Sequence, residues 1–110
     1  MDTVTGYYCI NLDNRPDRWG RMQRRFGELG MKVERFPAVG PDDERITPLI
    51  EKVGKDPQNH YFRVTMACTL SHQDAWRKAL EDGHERVMIL EDDVRIHRKW
   101  KDIVGRQIEE

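Results

Sequence analysis

Tyr7-Tyr8-Cys9-Ile10-Asn11-Leu12 is an aromatic and aliphatic run interrupted by a single amide and closed by Asp13-Asn14. A run without polar alternation reads as a strand buried on both faces, the setting that a parallel sheet provides. Val87-Met88-Ile89-Leu90, preceded by Arg86, has the same character and runs straight into Glu91-Asp92-Asp93. A third strand is expected within Met31 to Val39, at Val33 to Phe36. Between these strands the period changes. Trp19, Met22, Phe26 and Leu29 recur at helical steps, with Asn14 as the expected cap, Pro16 in the first turn and Gly30 as the stop. Arg18, Arg21, Arg24 and Arg25 occupy the other side of that helix, as a solvated face or as an attractor of anions.

From Thr65 to Asp82 a longer helix is expected, with Cys68, His72, Ala75, Trp76, Ala79 and Leu80 on its apolar face and Gly83 ending it. Trp100, Ile103, Val104 and Ile108 suggest a last amphipathic helix. Residues 40–62 are punctuated by Pro41, Pro48, Gly54 and Pro57, with room for one short helix around Ile46, Leu49, Ile50 and Val53. That stretch reads as a flexible insertion, long for a strand-to-helix connection. The fold class is α/β, βαβ(α)αβα, with a mainly parallel three-stranded core and flanking helices. So small a sheet makes the chain, residues 1–110, a single domain that corresponds to the first part of something larger.

Composition narrows the classes further. Lys and Arg total 19 against 20 Asp and Glu, a net charge of -1, so bulk charge offers nothing to nucleic acid. Apolar residues are 37% and charged residues 35%, which implies a modest core. No apolar run is long enough to span a membrane. Met1 to Thr5 has neither the basic start nor the apolar stretch of a signal peptide, so the cytoplasm is the expected compartment. Cys9 and Cys68 lack metal-site spacing and sit in apolar segments, which predicts two buried thiols.

The chemistry concentrates at the ends of the strands. Glu91, Asp92 and Asp93 close an apolar strand, where carboxylates repel one another unless a cation or hydrogen-bond donors hold them. Strand alternation turns Glu91 and Asp93 one way and Asp92 the other, unless the strand has already ended. Such oxygen donors suit Mg²⁺ or Mn²⁺; a solvated acidic turn is the other reading. Asn11, Asp13 and Arg15 leave the first strand at the same edge, and Arg18 lies one turn into the helix. Together they can hold a ribose or base edge and balance a phosphate, or serve only the fold. Ser71 and His72 are helical neighbours and therefore not a nucleophile and base pair. His72 is a core histidine, or a donor to a phosphate or to the acidic cluster. Gly27 and Gly30 flank a helix end, which excludes the usual glycine-rich phosphate loops.

The run Cys9-Ile10-Asn11-Leu12-Asp13-Asn14-Arg15-Pro16-Asp17-Arg18 resembles the opening of the family 25 glycosyltransferases, the lipooligosaccharide-type galactosyltransferases and their collagen-modifying relatives. Arg35-Phe36-Pro37-Ala38-Val39 resembles their second strand. Cys68-Thr69-Leu70-Ser71-His72 with Ala75-Trp76-Arg77-Lys78-Ala79 resembles their Cys-x-x-Ser-His helix, and Leu90-Glu91-Asp92-Asp93-Val94 their acidic motif. Val64-Thr65, Ala67 and Gly40-Pro41 stand where relatives usually carry Gly-Glu, Gly and Asp-Gly.

The resemblance implies a partial, N-terminal GT-A type nucleotide-sugar-binding fold. It also implies transfer of a hexose, galactose foremost, from a UDP-sugar to a glycan, lipooligosaccharide or protein acceptor, assisted by Mn²⁺ or Mg²⁺. By the same resemblance, Asn11, Asp13, Arg15, Arg18, Ser71, His72, Glu91 and Asp92 line the donor pocket, and Asp93 with Glu91 holds the metal. No residue is a convincing catalytic base, and the acceptor half has no counterpart in the chain. A truncated or degenerate non-catalytic domain, acting in binding or assembly, is therefore the alternative. A receiver-like phosphoacceptor fits poorly, because its paired acids would follow the first strand. An incomplete sheet has an open edge, from which a homodimer is expected.

Overall fold

The computed structural model describes the backbone of residues 4–109 and the side chains of residues 4–104. Three strands, β1 (Gly6–Asn11), β2 (Glu34–Pro37) and β3 (Val87–Glu91), form one parallel sheet in the order β2-β1-β3. The register pairs Cys9 with Arg35 on one side and with Leu90 on the other. The apolar run at the start of the chain is thus the central strand, and Tyr8, Cys9, Ile10 and Asn11 are all buried. Gly6 opens β1 where the His84 ring crosses it; a methyl group there would meet the ring at 2.7 Å.

Helix α1 (Pro16–Leu29) covers one face of the sheet. Met22 and Phe26 pack on Cys9, with Trp19, Val33, Leu90, Val94 and Ile96 around them. Trp19 and Leu29 lie at the margin of this contact and are only half-buried. The helix starts differently from the sequence expectation. Arg15, not Asn14, is the N-cap; it makes no side-chain capping bond, and Pro16 supplies the preset first turn. Gly30 ends the helix in the left-handed conformation, at φ 65°.

On the opposite face lie α2 (Ile46–Lys52) and α3 (His60–Glu81). Ile46 and Ile50, 0% and 1% exposed, pack on Ala67 and Leu70 of α3 with Val39, Leu49, Phe62 and Met66. Part of the stretch expected as a flexible insertion is therefore core. Arg63 fastens it: Nε donates to the Pro41 carbonyl at 2.6 Å, and Nη1 donates to Thr47 Oγ1 and the Pro57 carbonyl, each at 3.0 Å. Asn59 starts α3 a full turn before the expected Thr65, its side chain accepting from the Tyr61 and Phe62 amides.

The apolar face expected on α3 is also corrected. The buried stripe is Ala67, Leu70, Ser71, Ala75 and Ala79, whereas Trp76 is 60% and Leu80 70% exposed. Small side chains let α3 lie close to the sheet, and the larger residues flank that line. Cys68, expected buried, is exposed; Cys9 is buried as expected. At its end α3 is tied to β1 by the Tyr8 hydroxyl, which donates to Asp82 Oδ2 at 2.7 Å. That bond, with Lys78 beside it, holds the Asp82 carboxyl below its ordinary range.

Helix α4 (Trp100–Glu109) follows β3 and buries Trp100 edge-on against Tyr7. Ile103 is exposed, and Ile108 lies outside the described side chains. Among the described residues no helix is long and apolar enough to cross a membrane.

These two packing layers predict contrasting substitutions. Ile50→Ala should destabilise the domain by about 2–5 kcal/mol, because its cavity cannot collapse between α2 and α3. Leu80→Ala should stay within about 0.5 kcal/mol of the parent chain. Urea unfolding followed by circular dichroism measures both; an unchanged midpoint for Ile50→Ala would show that α2 is not part of the core.

Candidate functional site

Parallel strands bring all their carboxyl ends to one rim, and the loops leaving that rim enclose a cleft of about 380 Å³. Ile10 and Leu12 form its floor, Ala38, Val39 and Pro41 one wall, and Cys68, Ser71 and His72 of α3 the other. Arg18, Glu91, Asp92 and Asp93 border it. The strand ends, the α3 motif and the acidic motif thus meet in one place.

β3 ends at Glu91, so strand alternation reaches only the first acid of the motif, and Asp92 and Asp93 lie in the turn that follows. Ile10 pairs with Glu91 in the β1–β3 register, so Glu91 faces the α3 side with Ile10, and Asn11 shares the α1 side with Asp92. Asp92 is a working part of the fold. Its Oδ2 accepts from Asn11 Nδ2 at 2.7 Å, and its Oδ1 lies 3.4 Å from Arg18 Nη1. Glu91 and Asp93 are exposed and, among the described residues, take part in no side-chain hydrogen bond or ion pair. They are the two carboxylates left for a ligand.

Asn11 is the centre of the rim and is 1% exposed. Besides its bond to Asp92, Nδ2 donates to the Arg15 carbonyl at 3.0 Å, and Oδ1 accepts from Arg35 Nε at 2.8 Å. Its own carbonyl accepts from Arg35 Nη2 and from the Ala38 amide. With both amide hydrogens used, Asn11 shapes the rim rather than touching a ligand. Arg35 also reaches Asp13 at 2.6 Å, so Asp13 is paired, although its side chain is largely in solvent. Arg15 forms two bonds to Asp17, each 3.0 Å long, and the guanidinium holds that carboxyl well below its usual range.

Ser71 is buried and saturated: Oγ accepts from the Val39 amide and donates to the Ala67 carbonyl, both at 2.8 Å. It binds the loop after β2 to α3. His72 Nδ1 lies 2.9 Å from the Cys68 carbonyl, which can only accept, so Nδ1 carries the proton and Nε2 remains for other partners. Of the residues singled out in the sequence, Arg18, His72, Glu91 and Asp93 thus offer groups to the cleft. Asn11, Ser71 and Asp92 frame it, while Asp13 and Arg15 stand at its outer edge. Arg35, which joins two of these, Asn11 and Asp13, stands out in the sequence only as part of the second-strand motif; a guanidinium within a short strand beside a buried amide is the signal that marks it.

Among the described residues no group of three or more His, Cys, Asp and Glu side chains gathers around a common point. Two unpaired carboxylates on one side of the rim do not make a closed metal cage. They do suit Mg²⁺ or Mn²⁺, which retain water and take one or two carboxylates together with a ligand's phosphates. The same charges are felt by the thiols. Burial foremost, then Asp92, pushes Cys9 up to about 12. Cys68 is raised by partial burial and by Glu91 and Asp93.

Two measurements follow from this geometry. In Asn11→Asp a second carboxylate faces Asp92, so the pair must keep a proton that the unfolded chain releases. The loss of stability should therefore be small at about pH 5 and grow towards about pH 8; a pH-independent loss would separate Asn11 from Asp92. In Glu91→Gln and Asp93→Asn the Cys68 thiol should react with a neutral reagent about two- to fivefold faster at about pH 8, while Cys9 stays silent until unfolding. Unchanged Cys68 rates would place those carboxylates away from α3.

The sequence model of glycosyltransferase family 25 (LPS biosynthesis protein) matches residues 4–110. A glycosyltransferase 25 family member of Aedes aegypti is 35% identical over 115 residues, covering 97% of this chain and 19% of that protein. The lacto-N-neotetraose biosynthesis glycosyltransferase LgtE of Neisseria meningitidis serogroup B is 32% identical over 79% of the chain and 31% of its own length. Human procollagen galactosyltransferase 2 is 30% identical over 86% of the chain and 16% of its own length. The chain therefore spans less than a third of each of these relatives. With a parallel sheet, its rim of polar groups and the match along nearly its whole length, the chain belongs to glycosyltransferase family 25.

Proposed function

We propose that this chain is the donor-binding part of a glycosyltransferase that moves a hexose from a UDP-sugar to a hydroxyl of a glycan, lipooligosaccharide or protein acceptor. The observation that carries the reading is the division of the acidic motif. Asp92 is spent on Asn11 and Arg18, while Glu91 and Asp93 stand unpaired beside a cleft of ligand size. Galactose is favoured as the sugar because the human relative is named a galactosyltransferase.

The chemistry fits these residues. Breaking the anomeric C–O bond leaves the electron pair on the nucleoside diphosphate, whose charge must be met where it develops. Glu91 and Asp93 would hold Mg²⁺ or Mn²⁺ against the diphosphate, and a bound divalent cation supplies Lewis-acid neutralisation of that leaving group. Arg18 borders the same cleft and adds a guanidinium, which pairs well with phosphate oxygens. His72 presents Nε2, which can accept a hydrogen bond from a sugar or ribose hydroxyl. The apolar floor of Ile10 and Leu12 reduces the water around these charges.

Titration calorimetry with UDP-galactose tests the reading. Binding should require Mg²⁺ or Mn²⁺ and vanish in EDTA, and Asp93→Asn should weaken it by about tenfold, the effect of one lost charge-assisted contact. Metal-independent binding, or none to a folded sample, would favour the non-catalytic alternative.

A further inference from the structure

On the face of the sheet opposite the cleft, α1 and the segment after β3 enclose a second groove, of about 640 Å³. Arg15, Arg18, Arg21, Arg25 and Arg95 line it, with Asp92 and Asp93 at its upper border. Three features set it apart from a solvated helix face. Arg18, Arg21 and Arg25 recur at helical spacing and so share one side of α1. Arg25 is fixed in place: Nε and Nη2 both donate to the Ile96 carbonyl, at 3.2 and 2.6 Å. A carbonyl anchors that guanidinium without cancelling its charge. The floor includes Met22, Val94 and Ile96, whose apolar surface strengthens charge interactions above it.

The carboxylates around the groove are only partly matched to it. Asp17 is held by Arg15 and lies 3.8 Å from Arg21; Glu28 lies 3.6 Å from Arg25 Nη1; Asp92 is shared between Arg18 and Asn11. Arg95 makes no ion pair among the described residues, and Arg21 has only the long contact. Guanidinium groups arranged in this way offer planar paired donors, which fit the oxygens of a phosphate.

We infer that the α1 groove is a second anion site, separate from the donor cleft, for a phosphate-bearing group. Assigning that group to the acceptor substrate rests on the glycosyltransferase reading; the anion site itself does not. The ligand class is then a phosphorylated glycan or a phosphorylated lipid headgroup, seated across the rim from the donor. Arg18, Asp92 and Asp93 border both spaces and place the two ligands on either side of the acidic motif.

Proton–nitrogen NMR of the whole chain, titrated with inorganic phosphate in EDTA, tests the site. Saturable shifts should localise to α1 and to residues 94–96. Arg25→Gln and, as a variant free of the Ile96 anchor, Arg95→Gln should each weaken phosphate by about tenfold. UDP with Mg²⁺ should neither displace the phosphate nor lose affinity in those variants. Absence of shifts, shifts spread evenly over the surface, affinity unchanged in both variants, or displacement by UDP would each overturn the second site. If UDP fails to bind while the phosphate response and its loss in the variants persist, the donor reading falls and the anion site stands. A soluble phosphorylated sugar and vesicles containing phosphatidic acid, compared in the same titration, tell the glycan source from the lipid source.

Discussion

A single buried amide holds the rim together. Asn11 lies at the carboxyl end of the central strand, and its side chain simultaneously satisfies Asp92 after β3, Arg35 in β2 and the Arg15 carbonyl before α1. These groups come from three separate parts of the chain, and the amide ties the side chains of β2 and of the turn after β3 to the end of β1. A carboxylate at that point would repel Asp92, and an aliphatic side chain would remove one hydrogen bond from each of a guanidinium and a carboxylate in a partly buried setting. The amide serves because it donates and accepts at once.

That constraint also explains the division of labour among the acids. The β3 register places Glu91 on the α3 side with Ile10, and in the turn after it Asp92 bonds to Asn11 while Asp93 stays unpaired at the rim. One carboxylate is consumed in positioning, and the other two keep their charge exposed beside an apolar floor. Ser71 does the corresponding work on the other wall, joining α3 to the loop after β2 through one hydroxyl. The rim is thus built from polar groups that are themselves occupied, around a smaller number that are not.

The strands, the first helix and its glycine stop were legible because each depends on local periodicity, whereas the alternation expected within Glu91-Asp92-Asp93 stops at Glu91, where β3 ends. The family was legible too, since its motifs are contiguous. The face of α3 was not. Ala67, Ala75 and Ala79 form the line of closest approach to the sheet, but alanine carries a weak hydrophobic signal, and Trp76 and Leu80 dominate any pattern read by size. Ile46 and Ile50 were placed in a short helix, yet their burial depends on Arg63 gathering two carbonyls and a hydroxyl from a proline-punctuated stretch. Arg35 escaped for a similar reason: its role exists only after the sheet has brought Asn11 and Asp13 beside it.

The parallel topology has a consequence for the order of events during synthesis. The contact between Asn11 and Asp92 closes a loop of 81 positions, and β1 gains its longer neighbour only when β3 exists. Until then the emerging chain carries an apolar strand with β2 alone for company. Such late, non-local closure slows folding and leaves a sticky edge exposed to other chains. The ribosome must therefore deliver the chain through β3 before its first strand is flanked on both sides, and chaperone protection matters most over that interval.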